Sequence, residues 1–215
     1  MEAWAIVVAA GSGSRFGSPK QYAELAGRPL LAWSVDQARR ACAGVVLVVP
    51  PGDEQVGRRW GADRVVAGAA TRSASVRAGL AQVPVTAAAI VVHDAARPLA
   101  RDSIWLAALD AVKRGADAAI PTVAVTDTIK QVQPDGRLLT LDRQRLVAVQ
   151  TPQAFRAVVL REAHASGGEA TDDAALVEAL GATVVAVDGS PDNLKVTSQT
   201  DLAIAATLQR EMSLR

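Results

Sequence analysis

Short runs rich in valine and isoleucine alternate along this chain with longer, alanine-rich segments of helical periodicity. The runs are Ala3–Ala10, Val45–Pro50, Arg64–Ala67, Ala89–His93, Ala118–Pro121, Val147–Thr151 and Thr183–Val187. Most are apolar at every position rather than at alternate positions, which is typical of strands covered on both faces. The pattern therefore predicts a mostly parallel sheet at the centre of the molecule.

Helical periodicity marks the segments between these strands. They are Pro29–Cys42, Thr71–Gln82, Asp102–Arg114, Phe155–Ser166, Asp172–Leu180 and Gln199–Met212. Asp102 and Thr171 are suitable N-caps, and Gly115 and Gly181 follow two helices where a left-handed C-cap is favoured. Alternating strands and helices predict βαβ units, an α/β fold and one domain over residues 1–215.

One segment, Val123–Leu146, breaks this alternation. It has no helical period, and Pro134-Asp135-Gly136 is a turn signal between two strand-like runs. We expect a β-hairpin that projects from the body as an arm. From the hairpin pattern alone, a surface hairpin without a functional role is equally consistent.

Charge and cysteine content exclude several classes of protein. The 215 residues carry a net charge of +1 and a single cysteine, Cys42. No overall field therefore favours a nucleic acid or an acidic membrane surface, and neither a disulfide framework nor a cysteine-based zinc site is expected. Without an apolar stretch of about 18 residues or a basic leader, we expect no membrane span and a cytoplasmic protein.

The loop after the first strand has the composition of an anion site. Ala9–Tyr22 reads AAGSGSRFGSPKQY: Gly11 and Gly13 allow tight turns, and successive backbone N–H groups can form an anion cradle. Arg15 and Lys20 add positive charge. The loop lacks the Gly-Lys-Ser/Thr of a P-loop and the third glycine of a dinucleotide fingerprint. A purely structural glycine turn is the alternative, which the two cations disfavour.

A carboxylate, Asp94, is predicted at the same edge of the sheet. It ends the fourth strand in VVHDAARP, and ligands of open parallel sheets bind at the carboxyl ends of strands. A carboxylate beside a phosphate cradle is repulsive unless a divalent cation lies between them, and Mg²⁺ suits that position. The alternatives are a cap for Asp94 and a solvated charge for Arg97. We interpret His93 as structural and place His164 in an exposed helical segment.

Taken together, the motifs resemble the 2-C-methyl-D-erythritol 4-phosphate cytidylyltransferase family over nearly the whole chain. They are AAGSGSRFG, PKQY, GAATRSASV, VHDAARP, DTIK, DR, TPQAF, TDDA and DNLKVT, in this order. The resemblance implies a Rossmann-like, three-layer nucleotidyltransferase fold with a mostly parallel sheet and a β-arm at about residues 123–146. It also implies transfer of CMP from CTP to a polyol phosphate with Mg²⁺ or another divalent cation, in a homodimer.

The resemblance also assigns roles to individual residues. Those it implies for catalysis are Arg15, Lys20, Arg143 and Lys195. Those it implies for the nucleotide are Ala9, Ala10, Gly11, Ser12, Gly13, Ser14, Gly68, Arg72, Ser75, Asp94, Ala95 and Ala96, with Asp94 also near the metal. Those it implies for the acceptor are Arg97, Thr128, Thr151 and Thr171, and the arm residues Thr128 and Arg143 would reach the partner's site.

Two features leave the reaction open in detail. Ala69 stands where the family usually has a second glycine, and Ala70 where a polar residue is common, so the cytosine pocket departs from the pattern. The acceptor could be another polyol phosphate such as ribitol 5-phosphate. A non-catalytic nucleotide-binding domain is disfavoured because Arg15, Lys20 and Lys195 are all present, and an NAD-dependent oxidoreductase is disfavoured by the missing third glycine.

Overall fold

The computed structural model describes residues 1–11, 13 and 16–213. Its strands are β1 (Ala3–Val8), β2 (Glu24–Leu25), β3 (Arg28–Pro29), β4 (Gly44–Val49), β5 (Arg64–Ala67), β6 (Ala89–Asp94), β7 (Ala118–Ala124), β8 (Lys130–Val132), β9 (Leu138–Thr140), β10 (Val147–Val149), β11 (Gln153–Arg156) and β12 (Val184–Asp188). Its α-helices are α1 (Leu30–Ala41), α2 (Glu54–Gly57), α3 (Arg72–Leu80), α4 (Asp102–Lys113), α5 (Ala157–Ala165), α6 (Asp173–Ala179) and α7 (Gln199–Ser213).

The central sheet has the strand order β10-β7-β11-β6-β1-β4-β5, and β12 pairs with β7. The pairings of β1 with β4 and β6, of β4 with β5 and of β7 with β12 are parallel, whereas β10 and β11 pair antiparallel. Val8 lies opposite both Val48 and Asp94, so these three strands end at one edge. The predicted mostly parallel α/β sheet is confirmed.

Helices cover both faces of this sheet and bury its apolar residues. Val45, Leu47 and Val91 face one layer, which includes Trp105 of α4. Ile6, Val46 and Val92 face the opposite layer, and Leu160 of α5 packs there. Every residue of β4 and β6 is buried, which explains why these runs are apolar throughout. The fold therefore has three layers.

Strand β11 was not predicted. Sequence periodicity placed Phe155 at the start of a helix, but Gln153–Arg156 forms a strand between β6 and β7, and α5 begins at Ala157. The four-residue strand runs directly into the helix, so no turn residue separates the two patterns. Phe155 is completely buried, and its packing stabilises this short strand within the sheet.

The cap predictions were right at two helix ends and wrong at two helix starts. Gly115 and Gly181 have the expected positive φ, +113° and +75°, after α4 and α6. Arg101, not Asp102, is at the N-cap of α4, and the Asp102 carboxylate binds Arg40. Asp172, not Thr171, caps α6 by accepting a hydrogen bond from the N–H of Ala175 at 3.0 Å.

The segment predicted as an arm contains a two-stranded hairpin that is separate from the central sheet. Strands β8 and β9 pair antiparallel across the turn at Gly136, whose φ is +81°. All six residues of the two strands are exposed. Within the described residues, no helix is long and apolar enough to cross a membrane.

Candidate active site

A cavity of about 500 Å³ lies at the edge where β1, β5 and β6 end. Its described lining residues are Val8, Ala9, Ala10, Gly11, Lys20, Gln21, Ala69, Ala70, Thr71, Arg72, Ser75, Asp94, Ala95, Ala96 and Lys195. The volume is within the range of sites for small molecules and cofactors. Most of the residues predicted to bind the nucleotide therefore meet in one cleft, at the carboxyl ends of parallel strands.

Two glycines let the loops of this cleft approach one another. Gly13 has φ +67°, and a Cβ there would overlap the carbonyl oxygen of Ser18. Gly68 has no room either, because a Cβ would overlap the Cβ of Ala10 and lie 3.0 Å from Oγ of Ser75. The predicted residues Ser12, Ser14 and Arg15 lie outside the described residues.

Lys20 is fixed at the mouth of the cavity by a short 3₁₀ turn, Lys20–Tyr22. Its Nζ donates to the carbonyl oxygen of Val196 at 3.1 Å. The hydroxyl of Tyr22 donates to Oδ2 of Asp53 at 2.8 Å, and burial together with this bond raises the Tyr22 pKa above its usual range. The turn thus joins the first loop of the site to the segment after β4.

Among the described residues that line this cavity, Asp94 is the one with a carboxylate. It is the last residue of β6 and is only 9% exposed. Nζ of Lys195 donates to its Oδ2 at 2.6 Å, and Nε of Arg72 donates to its Oδ1 at 3.3 Å. Burial alone would raise the Asp94 pKa, but the two cations outweigh burial and hold the pKa well below its usual range. Asp94 is therefore ionised at neutral pH.

A second cavity, of about 270 Å³, lies on the other side of Asp94. Its described lining residues are Arg72, Asp94, Arg97, Val149, Gln150, Thr151, Gln153, Thr171, Asp172 and Lys195. Arg72, Asp94 and Lys195 line both cavities. The two spaces therefore share one charged wall, and three of the four residues predicted to bind the acceptor, Arg97, Thr151 and Thr171, line the second.

His93 is structural, as its sequence context predicted. The ring is completely buried, its Nδ1 lies 3.1 Å from Oγ1 of Thr151, and its Nε2 lies 3.2 Å from the carbonyl oxygen of Arg97. Burial lowers the His93 pKa to about 3. Thr151 in turn accepts a hydrogen bond from the N–H of Asp94, so the neutral imidazole braces the strand end that carries the carboxylate.

Arg97 is not a solvated surface charge. Its Nη1 donates to the carbonyl oxygen of Asn193 at 2.7 Å and its Nη2 to that of Val149 at 3.2 Å. Burial lowers its pKa. The side chain therefore ties the segment before Lys195 to the end of β10, and in this way it shapes the second cavity.

The arm residues predicted for the acceptor do not join the other site residues in this chain. Thr128 and Arg143 are exposed, and neither is among the described residues that line the two cavities. The guanidinium of Arg143 donates to the carbonyl oxygen of Thr126, at the base of the arm.

Sequence reasoning was wrong about His164, and it missed the partner of Arg72. His164 is buried rather than exposed, and its Nε2 lies 2.9 Å from Oδ1 of Asp173. Nη1 of Arg72 donates to the other oxygen of Asp173 at 2.8 Å. The one sequence feature that could have indicated this contact is the TDDA motif. It has two aspartates, and capping the helix requires only one of them.

Among the described residues, no three histidine, cysteine, aspartate or glutamate side chains cluster as a protein-only metal site. A single carboxylate from the protein is nevertheless enough for a magnesium ion, and Asp94 is suited to provide it. Mg²⁺ prefers one or two carboxylates, several waters and the phosphates of a substrate, and the Asp94 carboxylate is ionised and faces the larger cavity.

Comparisons with known proteins agree on one family. Residues 3–211 match the model described as "IspD: 2-C-methyl-D-erythritol 4-phosphate cytidylyltransferase". A protein of that name from Frankia casuarinae is 44% identical over 212 residues, which cover 95% of this chain and 80% of the relative. A crystal structure of the protein of that name from Thermus thermophilus has a TM-score of 0.82 and 35% identity, covering 95% of this chain and 98% of that one.

Some relatives are longer. A "Bifunctional enzyme IspD/IspF" from Solidesulfovibrio magneticus is 39% identical over 96% of this chain, and the match covers 57% of the relative. The chain therefore spans little more than half of the length of the bifunctional relatives that it matches.

Proposed function

The chain belongs to the 2-C-methyl-D-erythritol 4-phosphate cytidylyltransferase family, and from that premise we propose that it transfers CMP from CTP to 2-C-methyl-D-erythritol 4-phosphate. The products are 4-diphosphocytidyl-2-C-methyl-D-erythritol and diphosphate, and the reaction belongs to non-mevalonate isoprenoid biosynthesis. The observation that carries the proposal is the charged wall of Arg72, Asp94 and Lys195 between two cavities. CTP occupies the larger cavity, and the acceptor phosphate occupies the smaller one.

The reaction needs no nucleophilic side chain. A phosphate monoester has a second pKa of about 6, so its oxygen is already charged at neutral pH. That oxygen forms a bond to the α-phosphorus of CTP, and the bond from the α-phosphorus to the bridging oxygen of the β-phosphate breaks. The electron pair leaves with diphosphate. Catalysis then consists of positioning both phosphates and stabilising the charge that they develop.

Lys20 and Lys195, which both line the larger cavity, supply that stabilisation. Lys20 enters from the first loop and Lys195 from the segment before α7, and both ammonium groups are already held by the protein. Charges fixed before the substrate arrives need no reorganisation when the reaction occurs. Arg15 belongs to the same proposed set by its place in the first loop.

Mg²⁺ is proposed as the cofactor, with Asp94 as its protein ligand. When bound, the ion would screen the repulsion between Asp94 and the triphosphate and polarise the phosphate oxygens. The Asp94 carboxylate is kept ionised by Arg72 and Lys195, and a carboxylate must be ionised to hold a metal. Excess chelator should abolish turnover, and added Mg²⁺ should restore it.

Backbone around Gly68 and the Ser75 hydroxyl are proposed to form the cytosine pocket. Oγ of Ser75 accepts from the N–H of Ala69 at 3.0 Å and lies 2.8 Å from the carbonyl oxygen of Thr71. These bonds hold residues 69–71 in place beside the larger cavity, which Ala69, Ala70 and Thr71 line. CTP should exceed UTP in kcat/KM, and equal values would remove this pocket from the proposal.

A homodimer completed by the arm is proposed as the working form. Arm residues expose large apolar side chains: Val132 is 70% exposed, Leu138 62% and Leu139 52%. An exposed two-stranded hairpin is only marginally stable in water, so a second subunit packed on this surface would stabilise it. Arg143 and Thr128 would then bind the acceptor phosphate in the partner's site, and Arg143 suits a bidentate contact.

Diphosphate release by purified protein with CTP and a panel of polyol phosphates tests the proposal. The erythritol derivative should give the highest kcat/KM. A higher value with ribitol 5-phosphate would reassign the acceptor, and no release with any acceptor would reject the activity. We also propose a cytoplasmic location, where CTP is available.

A further inference from the structure

A continuous line of hydrogen-bonded side chains runs from the protein interior to Asp94. Nε2 of His164 lies 2.9 Å from Oδ1 of Asp173, and Oδ2 of Asp173 accepts from Nη1 of Arg72 at 2.8 Å. Nε of Arg72 then reaches Oδ1 of Asp94 at 3.3 Å. His164 lies on α5, Asp173 begins α6 and Arg72 begins α3, so three helices meet at this line.

The inner end of this line of side chains is buried from solvent. The side chains of His164 and Asp173 are 2% and 0% exposed, whereas that of Arg72 is 24% exposed. A carboxylate in such a place is costly unless both oxygens are hydrogen-bonded and its charge is paired. Among the described residues, Asp173 has one hydrogen-bond partner for each oxygen, His164 and Arg72. His164 therefore holds one oxygen of the carboxylate, and Arg72 holds the other.

The geometry also determines which ring nitrogen of His164 donates the hydrogen bond. A carboxylate only accepts hydrogen bonds, so Nε2 of His164 is the donor. Nδ1 is buried and has no hydrogen-bond partner among the described residues. The ion pairs along this line join two carboxylates, Asp173 and Asp94, to two cations, Arg72 and Lys195.

We propose that His164 and Asp173 are positioning residues, which hold the Arg72 guanidinium against Asp94 in the wall between the two cavities. His164 prevents the Asp173 carboxylate from rotating, so Oδ2 stays directed at Nη1 of Arg72. The guanidinium is a rigid plane, so fixing Nη1 also fixes the direction of Nε. The inference rests on the proposed cytidylyl transfer, because its consequence is the placement of CTP and the acceptor phosphate on either side of Arg72.

Two substitutions at one position separate the hydrogen bond from the packing. His164→Leu removes the donor, whereas His164→Gln keeps an N–H that can reach Asp173. We expect His164→Leu to lower kcat/KM for CTP by about tenfold, the scale of coupling within one ion-pair network. His164→Gln should recover most of the loss. Leu160→Ala, at another buried position of α5, destabilises the same helix without touching Arg72 and should leave kcat/KM unchanged at temperatures where it is folded.

A double-mutant comparison tests whether His164 acts through Arg72. In an Arg72→Met background, His164→Leu should cause no further loss of kcat/KM, since the group that it positions is gone. A loss of equal size in both backgrounds, or no loss in either, would overturn the proposal. If the wild-type protein releases no diphosphate from CTP, the proposed function fails, and this comparison is replaced by the spectroscopic one below.

The spectroscopic comparison depends on neither catalysis nor the folding of a His164 variant. The chain has two histidines, so ¹⁵N-imidazole NMR spectra contain only the His93 and His164 rings. We expect the Nε2–H signal of His164 to shift in Arg72→Met, because Asp173 has lost its cation, and to stay in place in Arg77→Met, a neighbouring cation of α3 bound to Glu169. An unchanged His164 signal in Arg72→Met would show that the ring and the guanidinium are uncoupled and would overturn the proposal.

Discussion

The ammonium group of Lys195 lies 2.6 Å from Oδ2 of Asp94, although the two residues are 101 positions apart in the sequence. Asp94 ends a central strand, and Lys195 lies in the extended segment before the last helix. Their contact completes the charged wall between the two cavities, so that one cation lies beside both of the proposed substrate sites.

Lys195→Ala should therefore lower kcat by about 10²-fold, the usual cost of losing one preorganised charge donor. The fold should persist, because the Lys195 side chain is 41% exposed and Arg72 still pairs with Asp94. Steady-state kinetics and a thermal unfolding curve check both statements. Lys113→Ala, at an exposed position of α4, should behave like the wild type. A Lys195→Ala enzyme with full kcat would contradict the proposed role.

Lys20→Ala and Arg15→Ala should each lower kcat by about 10²-fold, since both cations belong to the loop proposed to hold the triphosphate. Circular dichroism should show folded proteins in both cases. Arg59→Ala removes an exposed cation on a separate 3₁₀ turn, Arg58–Trp60, and serves as the control. If either site variant keeps the wild-type rate, or if it unfolds, the residue has been assigned to the wrong role.

The pH dependence of stability should report the buried His93. Burial lowers its pKa from 6.5 to about 3 in the folded protein, whereas the unfolded chain binds a proton below about 6.5. The folded state then carries fewer protons between these values, so stability falls as pH falls from 6.5 towards 3 and is unaffected above that window. The slope contributed by this one group approaches about 1.4 kcal/mol per pH unit.

Urea unfolding of the wild type and His93→Gln between pH 4.5 and 7.5 measures that contribution. The free energies of unfolding of the two proteins should have different slopes below pH 6.5 and the same slope above it. Parallel curves over the whole range would mean that His93 titrates normally in the folded protein.

Much of this arrangement could be predicted from the sequence, because it depends on local patterns. Fully apolar runs identified the buried strands β4 and β6, and the rule that ligands bind at the carboxyl ends of parallel strands brought Gly11 and Asp94 to one edge. Glycine positions also carried information, because Gly13 was predicted to allow a tight turn and has a φ of +67°.

The features that sequence could not supply depend on distant contacts. Strand β11 was missed because its four residues run directly into α5 and gain their stability from the neighbours β6 and β7. His164 was predicted to lie in an exposed segment because polar residues flank it in the sequence. The structure shows that it belongs to the buried face of α5. Only the packing of α5 against α6 brings its ring to Asp173, and no spacing rule marks that pair.

The arm provides a prediction about assembly. If Arg143 completes the partner's site, mixing an Arg143→Ala chain with a Lys195→Ala chain should restore activity, because a mixed dimer has one site with both lesions and one with neither. At random 1:1 mixing about a quarter of all sites are intact, since half of the dimers are mixed. Activity before and after confirmed subunit exchange is the measurement. No recovery would mean that Arg143 does not act across a subunit interface.

The most direct test of the proposed chemistry is ³¹P NMR of the purified protein with CTP, Mg²⁺ and 2-C-methyl-D-erythritol 4-phosphate. We expect the triphosphate and monoester signals to decay together, while a coupled pair of diphosphate-diester signals and the signal of free diphosphate grow in equal amounts. Unchanged CTP, or release of inorganic phosphate with the monoester intact, would contradict attack by the acceptor phosphate on the α-phosphorus.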